Sequence, residues 1–244
     1  MTKILIISDV HSNIIALEAV LADAGSIDET WCLGDVVGYG PNPNECINRI
    51  RELPNLTCLM GNHDLAAIGT LGLETFNTDA RRSLIWQKEN LSTESLEFLR
   101  DRPNELQVRG QVSLVHGSPR DPVWEYILNS IVAFNNLEHF QTQWCFVGHS
   151  HFQVGFHYIV DENEVIIEKS IPGSMVHLTE RAILNPGSVG QPRDHDPRAA
   201  YAIFDPELRT WLPKRVDYDI LEIQSRILTA GLPAKHAERL KEGW

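Results

Sequence analysis

The sequence predicts an α/β protein, a four-layer αββα sandwich of two mixed sheets flanked by helices. Three observations carry this reading. From Lys3 to Met60 short apolar runs alternate with amphipathic stretches in the order β-α-β-α-β. Further strands and a helix follow between Leu106 and Val147, and from Gln153 onward hairpin-like alternation takes over. With no internal repeat, low-complexity tract or linker in its 244 residues, the chain reads as one domain, 1–244, with a helical insertion at about 64–105.

Lys3 to Ser8 is a short β-branched run suited to a strand covered on both faces. Helical spacing of Ile14, Leu17, Leu21 and Ala24 follows, with Gly25 as its stop. Thr30 to Leu33 is the second strand. Asn42, Pro43 and Glu45 then have the order of a capped helix start, and Leu56 to Met60 is the third strand. The insertion carries helical pieces near Asp79 to Lys88 and Thr93 to Leu99. Leu106 to Val108 and Gln111 to Val115 form a hairpin about Arg109-Gly110. A helix near Ile131 to Phe140 leads to the strand Trp144 to Val147. Strands at Gln153 to Ile159, Glu164 to Lys169, Ala182 to Asn185, Ala199 to Phe204 and Thr210 to Val216 precede a last helix from about Asp219 to Ala230.

The 21 Lys+Arg against 33 Asp+Glu leave a net charge of −12 with neutral histidines. Duplex nucleic acid is held through released counterions and needs a basic face, so this balance argues against duplex binding. Phosphate chemistry in such a chain calls for positive charge from a bound metal. Cys32, Cys46, Cys58 and Cys145 lack zinc-like spacing and lie in or beside apolar segments, the pattern of buried thiols in a reducing cytosol. The apolar run Ile4 to Ile7 is too short for a signal peptide, and no run approaches the ~20 apolar residues of a membrane span. The expectation is a soluble cytoplasmic protein with no membrane partner; nothing in the sequence speaks to its oligomeric state.

Asp9 and His11, Asp35, Asn62 and His63, His116, and His149 and His151 each come just after a predicted strand. Strand carboxyl ends of an α/β sheet gather along one edge, so five segments would converge there. Imidazole and carboxylate with one amide and no thiolate suit manganese, iron, zinc or nickel. Six or seven ligands exceed one ion and fit two, about 3.5 to 4 Å apart, an arrangement that clamps in-line displacement at phosphorus. Alone, an Asp after a strand is more often a turn former or helix cap. The five blocks together single out a metal site.

Asp9-Val10-His11, Gly34-Asp35, Gly61-Asn62-His63-Asp64, Val115-His116-Gly117 and Gly148-His149-Ser150-His151 resemble, in order, the blocks of the calcineurin-like metallophosphoesterase superfamily. Gly34 to Pro41 and Asn185-Pro186-Gly187-Ser188 resemble its small bacterial and archaeal branch. The resemblance runs from about Ile4 to Pro192. It implies that Asp9, His11, Asp35 and His151 hold one metal while Asp35, Asn62, His116 and His149 hold the other, with Asp35 bridging. The implied cofactor is a pair of divalent transition-metal ions, Mn, Fe, Zn or Ni, with Mn expected to support activity. In that family a metal-bound water or hydroxide attacks phosphorus; His63 would face the leaving oxygen and Asp64 would orient its ring. Ser150 stands where Thr is commoner, and Gly34-Asp35 lacks the following Asp and Arg of eukaryotic serine/threonine phosphatases, which favours small phosphoesters. The implied function is dimetal-dependent hydrolysis of a small phosphoester, a phosphodiester or nucleotide. A phosphomonoesterase and a non-catalytic scaffold on the same fold are the alternatives, and His63, which a scaffold does not need, favours the enzyme.

Arg193 is a candidate for binding substrate phosphate, set against a salt bridge to the adjacent Asp194 or Asp196, which is the favoured reading. Tyr39 either stacks on a base or packs under its loop, and Asn185-Pro186-Gly187 is either a turn or part of the site wall. His139, His157, His177, His195 and His236 belong to no block and read as surface or hydrogen-bonded histidines. The stretch from Asp64 to Pro103, with Phe76, Trp86 and Phe98, reads as a packing insert bordering the cleft.

Overall fold

Residues 2–244 are described by a computed structural model. The β-branched run Ile4–Ile7 (β1) is buried throughout, as its composition requires, and Ile14–Ala24 (α1) returns the chain to Glu29–Cys32 (β2). Pro43–Arg51 (α2) does the same for Leu56–Cys58 (β3), so β1, β2 and β3 pair in parallel. Asn62–Ala67 (α3), Thr78–Asn90 (α4) and Thr93–Arg100 (α5) come next. The hairpin Gln107–Arg109 (β4) and Val112–Leu114 (β5) turns on Gly110 at φ 58°, a left-handed position glycine takes without strain. Ser130–Asn136 (α6) leads to Trp144–Phe146 (β6), Gln153–Ile159 (β7) and Glu164–Lys169 (β8). Val176–His177 (β9), Ala182–Pro186 (β10), Ala199–Asp205 (β11), Thr210–Val216 (β12), Ile220–Thr229 (α7) and Ala234–Glu242 (α8) complete the order.

The strands form two mixed six-stranded sheets, β3-β2-β1-β11-β12-β9 and β4-β5-β6-β10-β7-β8. Their inner faces meet through Trp31, Phe146, Phe204 and Trp211, whose ring centroids pack at 4.8 to 6.0 Å. Outside the first sheet, Leu17, Val20, Ile47 and Ile50 of α1 and α2 bury its other face; outside the second, Ala133 of α6 and Leu137 pack on Phe156, Val165 and Ile183. This is the αββα arrangement that the alternation of elements predicts.

Three local readings change. Asn42 does not cap α2 through its side chain but donates its amide N–H to Glu45 Oε1 at 3.0 Å. The third block opens a helix that the sequence does not mark: α3 starts on Asn62 itself. The helix α8, unread in the sequence, follows Pro233 and packs Ala237 and Leu240 on Ile223 and Ile227 of α7. The four cysteines are buried free thiols, and no helix among the described residues is long and apolar enough to cross a membrane.

Candidate metal centre

Asp9 and His11 leave β1, Asp35 follows β2, Asn62 and His63 follow β3, His116 follows β5, and His149 and His151 follow β6. The topology brings these ends to one rim. Three groups result, each with ligand atoms within 4.8 Å of one another: Asp9, His11 and His151; His11, Asp35 and His63; and Asp35, His116 and His149. Asp35 lies in the last two.

Holding so many side chains toward one point strains the backbone. Asp9, His11, Asp35, His149 and His151 all have φ between 47° and 62°, a left-handed conformation costing non-glycine residues of order 1–3 kcal/mol each. Hydrogen bonds from loop to loop offset it: Asp9 N–H donates to Gly34 O at 3.0 Å, His11 N–H to Asp35 O at 3.0 Å, and Gly148 N–H to His116 O at 2.8 Å. Asn185 adds to this, its amide donating to Gly148 O at 2.7 Å and to Ser150 Oγ at 3.0 Å, so it braces the last block from behind.

The imidazoles have defined tautomers because a carbonyl takes one ring proton from each. His11 Nδ1–H donates to Val37 O at 3.0 Å, His151 Nδ1–H to Gln191 O at 2.5 Å, and His116 Nδ1–H to Leu33 O at 2.9 Å. In a neutral ring each Nε2 then carries a lone pair. His149 is reversed, its Nε2–H donating to Trp124 O at 3.2 Å, which leaves Nδ1 free. The His11 and His151 Nε2 atoms, both acceptors, stand 3.1 Å apart, and His151 Nε2 is 3.3 Å from Asp9 Oδ1. Asp9 Oδ1, Asn62 Oδ1 and His116 Nε2 are buried without a hydrogen-bond partner. Lone pairs crowded in this way repel unless a cation lies among them, and folded proteins leave few buried acceptors unsatisfied. The donor set fits divalent metal ions.

The buried charges of the site shift one another. Burial alone would raise Asp35, but His116, His63 and His11 hold its carboxyl well below the usual range. Burial works against a charged His116, yet Asp35, 3.5 Å away, lifts it to about 9. Burial pushes Asp9 up to about 7, with Asp35 adding to the effect and His116 opposing it. Burial pulls His149 down to about 3 and His63 to about 4.

Two expectations need correction. The Asp64 carboxylate does not touch the His63 ring. It accepts from the backbone N–H groups of Val36, Val37 and Gly61 at 3.2, 2.9 and 3.0 Å, tying the second block to the third. The His63 ring is held instead by Tyr39, His11 and Phe76, with centroids 4.5, 4.8 and 5.1 Å away. Arg193 makes no salt bridge with its neighbours, because Asp194 pairs with Arg215 and Asp196 with Arg198. Its guanidinium donates to Tyr39 Oη and Gln191 Oε1, both at 3.2 Å, and lines the cleft.

Tyr39 packs beneath its loop, 7% exposed. Trp124 and Tyr126, unread in the sequence, close the opposite wall; Tyr126 stacks on the His149 ring at 3.9 Å. They lie in an irregular segment between β5 and α6, where no periodicity marks them. The cavity these residues enclose is about 100 Å³.

A family model described as the calcineurin-like phosphoesterase superfamily domain matches residues 2–208. The chain is 38% identical to an uncharacterized protein of Methanocaldococcus jannaschii over 98% of its own length and 97% of that protein. It is 30% identical to a symmetrical bis(5'-nucleosyl)-tetraphosphatase of Serratia proteamaculans, over 45% of this chain and 40% of that one. Its fold matches the crystal structure of a metallophosphoesterase from Sphaerobacter thermophilus with a TM-score of 0.92 and 45% identity, covering 100% of this chain and 99% of the other.

Proposed function

The chain belongs to the calcineurin-like phosphoesterase superfamily, and we propose that it is a cytoplasmic hydrolase of small phosphoesters, phosphodiesters or nucleotides, using two divalent ions. The observation that carries this reading is the set of facing lone pairs and unsatisfied acceptors on either side of Asp35. We assign Asp9, His11, Asp35 and His151 to one ion and Asp35, Asn62, His116 and His149 to the other. Bound there, the ions would supply an activated water and neutralise charge developing on phosphoryl oxygens.

The protein's own groups complete the site. Arg193, free of carboxylates, offers its guanidinium to a phosphoryl oxygen. His63 stands off the two assigned ligand sets and serves the leaving oxygen, and Asp64 positions Asp35 and Asn62 through the backbone. A cavity of about 100 Å³ holds roughly three waters at ~30 Å³ each. It admits a phosphoryl group and leaves the rest of the substrate outside. Manganese is the ion to test first, and the name of the Serratia relative adds dinucleoside polyphosphates to the substrate panel.

Protein loaded with manganese is expected to hold two ions per chain by elemental analysis and to turn over a nitrophenyl phosphodiester. Saturation at one ion overturns the two-ion assignment, and two ions without turnover of any ester favours a scaffold. A second expected result concerns Gly61, where an added Cβ would lie 2.0 Å from Asp35 Oδ1 and 2.7 Å from His116 Cε1. Gly61→Ala must therefore displace Asp35. It should lower metal content and activity together while the circular-dichroism spectrum stays native.

A further inference from the structure

The cavity of about 100 Å³ receives a phosphoryl group and little else, so whatever the phosphate is joined to must lie at its mouth. Thr75, Asn77 and Tyr126 are the exposed residues of its lining. The other aromatic side chains there are turned inward: Tyr39 and Phe76 are 7% exposed and Trp124 is half-buried, whereas Tyr126 is 43% exposed. Tyr126 thus presents the most accessible ring at the mouth.

That ring is fixed as well as exposed. One face lies on the His149 imidazole, with centroids 3.9 Å apart and planes 13° from parallel, and the Arg193 guanidinium faces its hydroxyl. Among the described residues no other ring is stacked on it, so its second face is the open one. The irregular segment that carries Tyr126 is tied down on both sides of the ring. Trp124 O accepts the His149 Nε2–H at 3.2 Å, and Glu125 Oε2 accepts from Ser118 Oγ at 2.6 Å and Asn136 Nδ2 at 2.8 Å. A ring already ordered in this way loses little freedom when a ligand stacks on it.

Tyr126 and His63 stand on different sides of the cleft. His63 packs among His11, Tyr39 and Phe76, while Tyr126 packs on His149. With the leaving oxygen at His63, the group that stays on phosphorus is the one left to meet Tyr126.

We propose that the outer face of Tyr126 is a stacking platform for a planar base, so that the site prefers phosphodiesters whose retained half is a nucleoside over those whose retained half is a simple alkyl group. The proposal rests on the phosphoesterase reading of the metal centre. Every base has a π face, so the platform selects a nucleoside without selecting its base.

Turnover and binding test it separately. In manganese-loaded enzyme two esters with the same leaving group are compared, the nitrophenyl ester of thymidine 5′-monophosphate and ethyl nitrophenyl phosphate. The ratio of their kcat/KM values should fall about tenfold in Tyr126→Leu, which keeps apolar cover on His149 but removes the π face, and should hold in Tyr126→Phe. Calorimetry then compares thymidine 5′-monophosphate with 2-deoxyribose 5-phosphate, a ligand without the base. Wild type should bind the nucleotide about tenfold more tightly, and Tyr126→Leu should lose that margin. Metal content is determined in every sample; if Tyr126→Leu loses metal, Tyr126→Trp decides, because its larger ring must widen the margin. A ratio unchanged by Tyr126→Leu, or no margin for the base in wild type, overturns the platform. A ratio that falls equally in Tyr126→Phe assigns the effect to the hydroxyl beside Arg193 and overturns it as well. A base margin that depends on Tyr126 in a protein that hydrolyses neither ester keeps the platform and overturns the phosphoesterase reading, and turnover of both esters without any base margin does the reverse.

Discussion

Asp35→Asn is expected to release both ions and to lower kcat/KM by roughly 10³-fold or more, the scale of several kcal/mol of lost charge stabilisation. Asp35 Oδ1 accepts the His63 backbone N–H at 2.9 Å, while Oδ2 lies 3.5 Å from His116 Nε2 and 3.7 Å from His11 Nε2. Each of those imidazoles belongs to a different proposed ligand set. Asn keeps the volume and an oxygen for the His63 N–H, so the fold should survive. What it loses is the charge and the second oxygen, the two properties needed to serve both sets. His149→Ala, by contrast, should empty one position. Elemental analysis reads the difference directly, and thermal melts read it again, because an ion that binds only the native state raises Tm. The manganese-induced rise of wild type should vanish in Asp35→Asn and shrink in His149→Ala. An Asp35→Asn protein that keeps two ions overturns the bridging role.

The rim was legible because strand ends are. A β-branched run such as Ile4–Ile7 followed at once by Asp9 and His11 says where the strand stops and which groups its end presents. Five such junctions leave few ways to arrange the sheets. What the sequence could not show was how polar groups are divided among partners far apart in the chain. Asp64 sits next to His63 in sequence, yet its carboxylate faces backbone N–H groups of residues 36, 37 and 61. Arg193 stands beside Asp194, yet Asp194 pairs with Arg215 instead. The packing of α8 on the start of α4 joins segments more than 150 residues apart, as the bond from His236 to Asp79 records. A lone His236 in a short helix after Pro233 carries no mark of that meeting. Tyr126 likewise owes its place to tertiary packing on His149.

His63→Ala should keep both ions and lose activity in proportion to the basicity of the leaving group. The ring is buried and fixed: Gly38, at φ 106°, lies so close that an added Cβ would stand 2.5 Å from His63 Nδ1, and Tyr39 and Phe76 hold the ring faces. Burial keeps its pKa near 4, so at neutral pH it acts as a neutral imidazole with one N–H to donate. An alkoxide leaving phosphorus is a strong base, and a hydrogen bond from that N–H to its developing charge is worth roughly 10² to 10³ in rate, with the proton itself coming from water. A nitrophenolate leaves with little help. The loss should therefore be large for alkyl and nucleoside esters and small for nitrophenyl esters. Asp64→Asn should behave otherwise, because Asp64 acts through the backbone: its defect should be similar across esters and accompanied by lost metal or lower Tm. The measurement is the mutant to wild-type ratio of kcat/KM over esters of rising leaving-group pKa, with metal content determined in every sample. A flat ratio removes His63 from the leaving-group role, and lost metal in His63→Ala makes it a ligand, as its grouping with His11 and Asp35 would allow.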